Sequence, residues 1–206
     1  MKRFPIMLDL AGRRVVVVGM GAVGLRKIRV LIEAGANVTA VDPQAPTIAN
    51  VQVIRGPYDP SCIEGATLVF ACTGDRGLNS RVCADARAMG ALANAADQPE
   101  DCDFHMPAII DAEPVVVAIG TSGAAPALAG ELKKRIAANL PEHLGALATA
   151  LEQLRDQLRR DMPDEKRRMN IMRKLCAEAI DIYRPGQPET LRDRMNELIR
   201  EHQDGQ

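Results

Sequence analysis

The strongest hydrophobic pattern in the chain is a run of valines from Val15 to Val18, followed directly by a glycine-rich turn. Consecutive β-branched residues are typical of a strand buried on both faces of a sheet. From Ala22 onward, apolar positions recur at helical spacing until Gly35, so the glycines lie between a strand and a helix. The pattern predicts a βα unit whose turn can approach a ligand closely.

The alternation of strand and helix continues through the first half of the chain. Strands that alternate with helices favour a parallel sheet with right-handed crossovers. We therefore predict an α/β fold with an N-terminal Rossmann-type parallel sheet. The further elements predicted here are strands at 37–41, 51–54, 67–72 and 92–96, a short helix capped by Asp59 that reaches about Gly65, and a helix from Asn79 to about Met89.

The pattern changes in the second half of the chain. Two extended apolar segments, 104–110 and 114–119, leave no room for a helix between them, which favours either a hairpin or strands that leave the first domain. A boundary near residue 112 is expected. Beyond it the apolar spacing is helical, with predicted helices at 126–140, 141–160, 164–183 and 188–202.

The glycine turn has the GxGxxG spacing of dinucleotide-binding folds. The first amides of a helix lack internal partners and lie at the positive end of its dipole, so they can hold a pyrophosphate. The second strand ends in Asp42, where an acid accepts the hydroxyls of an adenosine ribose and repels a 2′-phosphate. Purely structural glycines are therefore disfavoured, and NAD is the predicted cofactor. The candidate cofactor-binding residues are Gly19, Gly21, Ala22, Val23, Gly24, Asp42, Thr73 and Asp75.

Composition excludes several other classes of function. A net charge of −1 offers no field for nucleic acid, and an aromatic content of 2% offers few stacking platforms for bases. No apolar run approaches the roughly 20 residues that span a bilayer. The 5 cysteines show no CxxC pairing, and the 3 histidines fit no compact metal motif. We expect a soluble, cytoplasmic protein with no metal site and no nucleic-acid or membrane partner.

Blocks of residues well beyond the glycine turn resemble the precorrin-2 dehydrogenase family, the siroheme-synthesis enzymes that oxidise precorrin-2 to sirohydrochlorin. The most specific block is Asn-x-x-Asp-x-Pro at 94–99, followed by Asp-Phe-x-x-Pro-Ala at 103–108. The other matching blocks are Phe4-Pro5-Ile6, Gly19 to Val23 with Arg26-Lys27, Gly35 to Thr39, Ala71 to Asp75 with Asn79, Val117 to Gly123, Pro126 with Leu128-Ala129, and Leu140 to Gly145.

The resemblance implies an intertwined homodimer with precorrin-2 as substrate and NAD as cofactor. It implies a Rossmann domain over residues 1–112, a dimerisation segment over 113–145 and a helical C-terminal domain over 146–206. Asp97 is the implied catalytic residue, because a carboxylate beside the nicotinamide could act as general base while a hydride leaves the substrate. The candidates for substrate contacts are Asn94, His105, Thr121 and Ser122.

The chain departs from the family pattern at three places. Gly24 stands where the family often has alanine, and it still meets the general dinucleotide-binding pattern. Asp111-Ala112-Glu113 stands where relatives commonly carry a basic pair and a glycine, which removes positive charge that could bind substrate carboxylates. Ala125 stands where a serine usually precedes the proline. Arg26 and Lys27, just after the glycine turn, fit contact with phosphate or substrate and a solvated first turn equally well.

Two alternative functions stay open from the sequence. A bifunctional enzyme would also insert ferrous iron into sirohydrochlorin, with Asp97 taking the pyrrole protons. A non-catalytic NAD-sensing domain would explain the residues from Gly19 to Asp42 equally well. Such a sensor would not require Asn94 and Asp97, and it would show no turnover.

Overall fold

The computed structural model describes residues 4–204 and divides the chain into two compact units. The first unit comprises residues 4–106 with Ser122–Ala124, and the second comprises Pro107–Thr121 with residues 125–204. Each unit has its own hydrophobic core.

The first unit is built on one parallel sheet with helices. Its strands are β1 (Arg14–Val18), β2 (Asn37–Val41), β3 (Val51–Ile54), β4 (Leu68–Ala71) and β5 (Leu92–Ala95), and its helices are α1 (Ala22–Glu33) and α2 (Arg76–Ala88), with 3₁₀ turns at Pro60–Ile63 and Pro99–Asp101. The strand order is β3-β2-β1-β4-β5. Because every pair is parallel, the carboxyl ends of all these strands lie at one edge of the sheet. The predicted α/β fold is confirmed.

The valines of β1 are buried on both faces of the sheet. Val15 and Val17 pack in the core that contains Ile28 of α1, whereas Val16 packs in the core that contains Val82 of α2. Successive side chains of a strand point to opposite faces, so each helix covers alternate residues of the same run. This burial explains the run of β-branched residues and fixes the end of β1 where the glycine turn begins.

Helix α2 begins three residues earlier than the sequence predicted. Its cap is Asp75, whose carboxylate accepts a hydrogen bond from the amide of Leu78 at 3.1 Å. A carboxylate at this position satisfies an amide that has no partner inside the helix, and it stabilises the start of the helix. Asn79, which was predicted to start the helix, lies inside it and is buried.

The second unit begins with an antiparallel hairpin, which decides between the two arrangements that the sequence left open. Its elements are β6 (Ala108–Ala112), β7 (Val115–Ile119), α3 (Pro126–Ala137), α4 (Leu144–Asp161), α5 (Glu165–Ile182) and α6 (Glu189–Asp204). Helix α3 ends before its predicted limit, and Pro141 precedes α4 instead of opening it. The amide of Leu144 bonds to the carbonyl of Pro141, which forms a turn ahead of the helix.

Helices α4, α5 and α6 share one apolar core. Leu158, Ile171, Leu175 and Met195 are buried in it. Within each helix the buried residues lie three, four or seven positions apart, as Ile171, Leu175 and Ala179 do in α5, so each helix presents one apolar face to the others. None of the helices within residues 4–204 has the length and apolar character needed to cross a membrane.

Candidate functional site

The three glycines of the turn serve different purposes. Gly19 has a φ of 94°, and a Cβ there would lie 2.6 Å from the carbonyl carbon of Cys72. A Cβ on Gly24 would collide with the carbonyl oxygen of Gly19. A Cβ on Gly21 would meet no atom within 4 Å. Gly19 and Gly24 are therefore needed for close packing of the turn, whereas Gly21 faces space that a ligand can fill.

The start of α1 is open to an anion. Gly21 is the cap residue, it has no side chain to satisfy the first amides, and the first turn contains no acidic residue. Within residues 4–204, no hydrogen bond occupies the amides of Ala22, Val23 and Gly24. These amides lie at the positive end of the helix dipole, so they suit a pyrophosphate.

Asp42 is fixed beside the glycine turn at the end of β2. One carboxylate oxygen accepts a hydrogen bond from the amide of Met20 at 2.8 Å, and the other accepts one from the amide of Gln44 at 2.7 Å. Each carboxylate oxygen can accept more than one hydrogen bond. Asp42 is therefore oriented by the backbone and still has acceptor capacity for ribose hydroxyls.

A cavity of about 520 Å³ opens at the carboxyl ends of β1, β2 and β4. Its lining includes Gly19, Gly21, Asp42, Tyr58, Thr73 and Gly74. The cavity combines the open space beside Gly21 with the Asp42 carboxylate, which backbone amides hold in place. This arrangement fits the adenosine and pyrophosphate parts of a dinucleotide, in a position that is usual for ligands of open parallel sheets.

Sequence reasoning missed Tyr58 as a lining residue of this cavity. Its hydroxyl donates to Oδ2 of Asp85 at 3.0 Å, and the Arg81 guanidinium lies 5.8 Å from the centre of its ring. Burial and the bond to Asp85 raise the pKa of Tyr58, so its ring stays neutral. No pattern around Tyr58 indicated this position, because its partners are on α2.

Two buried amide side chains connect the loops that follow β4 and β5. Oδ1 of Asn79 accepts from the hydroxyl of Thr73 at 2.7 Å, and its Nδ2 donates to Oε1 of Gln98 at 3.3 Å. Nε2 of Gln98 in turn donates to the carbonyl of Arg76 and to Oδ2 of Asp101. Thr73 is thereby held at the cavity wall, and the residue after Asp97 is anchored.

Asp97 lies on the loop directly after β5 and is exposed. Its φ is 56°, a conformation that costs a non-glycine residue free energy and is often found at functional sites. Nη1 of Arg76 donates to its backbone carbonyl at 3.2 Å. The Asp97 carboxylate itself makes no hydrogen bond or ion pair within residues 4–204, so it is available to a ligand.

Asn94 is almost fully buried at the end of β5, with 6% of its surface exposed. Its Oδ1 accepts from Nζ of Lys27 at 3.0 Å, and its Nδ2 donates to the carbonyl of Phe104 at 2.8 Å. Both ends of the amide are thus engaged within the protein. A contact between Asn94 and substrate stays a prediction. His105 is half-buried in the segment that follows, and its contact with substrate also stays a prediction.

Lys27 reaches inward from α1. Its Nζ lies 4.7 Å from the centre of the Phe70 ring and 3.4 Å from Sδ of Met106, in addition to its bond to Asn94. Desolvation lowers the pKa of Lys27. The sequence left a solvated position open for this residue, and the structure instead shows it half-buried.

The remaining predicted residues lie outside the cavity lining. Asp75 caps α2, and Oγ1 of Thr121 in the second unit accepts from the amide of Ala125 at 3.3 Å. Ser122 is exposed, with a φ of 53°. The substrate roles of Thr121 and Ser122 stay predictions. The part of the chain that the structure describes contains no group of three or more His, Cys, Asp or Glu residues that could hold a metal ion.

The family comparison agrees with this geometry. Residues 6–108, half of the chain, match the NAD(P)-binding family model NAD_binding_7. The chain belongs to this NAD(P)-binding family. The matched range contains the glycine turn, Asp42 and Asp97, and it confirms the prediction of a nicotinamide dinucleotide as cofactor.

Individual relatives are named siroheme synthase. The chain is 36% identical over 197 residues to siroheme synthase of Methylococcus capsulatus, covering 92% of this chain and 42% of the relative. It is 38% identical over 175 residues to siroheme synthase of Azotobacter vinelandii, covering 82% of this chain and 38% of the relative. The chain spans less than half the length of these relatives. The predicted resemblance to the siroheme-synthesis family is confirmed.

The fold also has a solved counterpart. The structure of SirC, precorrin-2 dehydrogenase, superimposes with a TM-score of 0.77 at 23% sequence identity. The match covers 94% of this chain and 100% of that chain. The order of elements in both units therefore belongs to a known fold.

Proposed function

We propose that this chain catalyses the NAD-dependent oxidation of precorrin-2 to sirohydrochlorin. The observation that carries the proposal is the Asp97 carboxylate, which is free of protein hydrogen bonds and follows β5 at the same sheet edge as the dinucleotide cavity. The siroheme synthases to which the chain is similar, and the shared fold of a precorrin-2 dehydrogenase, support this choice of substrate.

The residues on this sheet edge can divide the chemistry among them. The nicotinamide ring supplies the hydride acceptor when NAD is bound. The oxidation removes two hydrogens from the substrate: bound NAD would take one of them as a hydride with both electrons, and the other would leave as a proton. Asp97, as a carboxylate, accepts that proton. The first amides of α1 would hold the pyrophosphate, and the Asp42 carboxylate would accept hydrogen bonds from the ribose hydroxyls.

The preference for NAD over NADP rests on Asp42. Its carboxylate is held by the amides of Met20 and Gln44, so it cannot turn away from the ribose without losing both bonds. A 2′-phosphate at that place would bring two anions together. The carboxylate and the phosphate would repel each other strongly, because the protein partly shields both charges from water.

A homodimer is part of the proposal. The hairpin residue Val116 and the α3 residues Leu128 and Leu132 are 44%, 53% and 37% exposed. Leu128 and Leu132 are four residues apart, so they lie on one face of α3. A second copy of the chain would remove this apolar surface from water. A cytoplasmic location also stays a prediction, and the five cysteines, which form no disulfide within residues 4–204, suit a reducing compartment.

Ferrous iron insertion is the second candidate activity. It is favoured by the names of the relatives, because siroheme contains iron and those proteins are called siroheme synthases. Asp97 could then accept pyrrole protons as well as the proton of the oxidation. Iron is a substrate in this reaction and needs no resident metal site.

An anaerobic absorbance assay tests the proposal. Purified protein is mixed with precorrin-2 and NAD, and ferrous iron is added afterwards. We expect wild type to form sirohydrochlorin, Asp97→Asn to lose about 100-fold or more in rate, and the nearby exposed Glu100→Gln to resemble wild type. Siroheme formation above the rate without enzyme would add the chelatase. No oxidation by wild type that binds NAD would favour the sensor instead.

A further inference from the structure

We propose that Lys27 is a positioning residue for the reaction, acting on Asp97 through Asn94. The inference rests on the proposed function and goes beyond it, because it assigns a role to a lysine on the cofactor-binding helix. It concerns the geometry of the β5 end and requires no contact between Lys27 and the substrate.

Lys27 connects two parts of the site that are far apart in sequence. Its backbone belongs to α1, whose first turn is the anion site, and its Nζ donates at 3.0 Å to Oδ1 of Asn94 at the end of β5. Nδ2 of Asn94 donates at 2.8 Å to the carbonyl of Phe104. Asp97 follows Asn94 by three residues. A single side chain therefore connects the cofactor helix with the strand that presents the proposed base.

The surroundings of Lys27 indicate that burying its ammonium does not stabilise the fold. Its close partners are an amide oxygen, the thioether of Met106 and the face of the Phe70 ring. No carboxylate lies within ion-pair distance of Nζ among the residues that the structure describes. Removing a cation from water costs free energy, and a cation–π contact with one hydrogen bond offsets part of that cost. An apolar side chain of similar length would remove this desolvation cost but would leave the buried Oδ1 of Asn94 without its donor, so the fold should be retained with only a small change in stability.

The ammonium does have a geometric effect on Asn94. With Lys27 as donor, Oδ1 of Asn94 must face α1, so Nδ2 must face the carbonyl of Phe104. Without that donor, only the contacts of Nδ2 with Phe104 and Cys102 orient the amide, so the end of β5 loses one of its fixed points. A displacement of about 1 Å between a base and its proton can lower a rate on the order of 100-fold. The anion site itself uses backbone amides of α1, so it does not need Lys27.

The test compares three variants in the anaerobic assay. Lys27→Met removes the donor, Lys27→Arg retains a cation and donors, and Arg29→Met removes an exposed cation from the same helix as a control. We expect Lys27→Met to lower kcat by about tenfold or more, with a Kd for NAD within about twofold of wild type. We expect Lys27→Arg to recover part of the loss, and Arg29→Met to match wild type.

A double-mutant cycle with Asn94→Leu separates positioning from a general structural effect. If Lys27 acts through Asn94, Lys27→Met should change kcat little in the Asn94→Leu background. The melting temperature of the Lys27→Met single variant should stay close to that of wild type, because the relieved desolvation of the ammonium and the lost bond to Asn94 offset each other. Wild-type kcat in Lys27→Met would overturn the inference and leave the proposed function intact, and a parallel loss of stability and NAD binding would also overturn it. An inactive wild type would instead overturn the proposed function, and the inference with it.

Discussion

Two valine-rich β structures in this chain have very different surroundings. Val15 to Val18 in β1 are between 0% and 2% exposed, because β1 is central in its sheet and helices pack on it. Val115 to Val117 in β7 belong to a two-stranded hairpin in which no residue of either strand is fully buried. The same residue type therefore forms a closed core in one unit and an apolar surface in the other.

The difference indicates what each structure is suited to do. The parallel sheet covers its own apolar surface, so the loops at its carboxyl edge have a rigid support. That support holds Asp42 and Asp97 at the ends of different strands. The hairpin leaves apolar area exposed, and an isolated two-stranded hairpin is only marginally stable in water. Packing of α3 and, in our proposal, of a second copy completes it.

The largest loss of stability is expected from a substitution in the glycine turn of the parallel sheet. Gly19→Val would place side-chain atoms against the backbone of Cys72 at a positive φ, so we expect a loss of about 4 kcal/mol or more in unfolding free energy and no NAD binding. Gly21→Ala is the control, because its methyl group meets open space, and the change at this cap position should cost about 1 kcal/mol or less. Denaturant titration measures both. A Gly19→Val protein as stable as wild type would contradict the described packing.

A charged residue on the exposed face of the hairpin tests whether that face binds a second copy of the chain. Val116→Asp should weaken self-association about 100-fold, because an unpaired carboxylate would be buried between copies. The fold of each subunit should persist, since Val116 is 44% exposed. Sedimentation equilibrium gives the association constant, and Ile180→Asp, at an exposed apolar position of α5, is the matched control. Equal association in both variants would argue against a dimer through the hairpin.

Substitutions of Asp42 test the dinucleotide-binding role of the carboxyl edge of the parallel sheet. Asp42→Ala removes the acceptor for the ribose and the brace on the Met20 amide, so we expect NAD affinity to fall about tenfold. Affinity for NADP should fall less or rise, because the repelling charge is gone. Asp42→Asn keeps an acceptor and should weaken NAD binding less. Calorimetric titration with both dinucleotides measures the ratio, and an unchanged ratio in Asp42→Ala would contradict the assigned role.

The smallest effect concerns the pH dependence of stability. Burial lowers the pKa of Lys27, so the unfolded chain binds more protons than the folded chain between the lowered and the ordinary value. Stability of the wild type should therefore rise with pH through that interval. Lys27→Met lacks this group, so any stability advantage that it has at neutral pH should shrink there. Urea titrations across this pH range measure the slope, and a widening advantage would be the contrary result.

The sequence predicted the parts of the site that depend on local patterns. The valine run, the glycine spacing and the helical period that follows are all local, and Asp42 follows from the length of the next strand. The hairpin could not be chosen in advance, because a period of two is the same for paired and separate strands. Only the pairing of β6 with β7 distinguishes them.

The contacts that complete the site depend on the tertiary fold. Lys27 meets Asn94 across a separation of 67 residues, and Asn79 meets Gln98 across 19. The periodicity of hydrophobic residues along the sequence does not predict such long-range pairs. The predicted start of α2 at Asn79 was wrong for a related reason: an asparagine can cap a helix, but here its amide is used inside the fold and Asp75 is the cap.

A single-turnover reaction under anaerobic conditions tests whether the chain couples oxidation of precorrin-2 to reduction of NAD through Asp97. Protein loaded with NAD is mixed with a smaller amount of precorrin-2, and NADH and sirohydrochlorin are followed together by absorbance. Both products should appear at the same rate and in equal amounts, and Asp97→Asn should bind NAD but form both products about 100-fold or more slowly. Sirohydrochlorin without matching NADH, or no turnover by wild type that binds both ligands, would contradict this coupling.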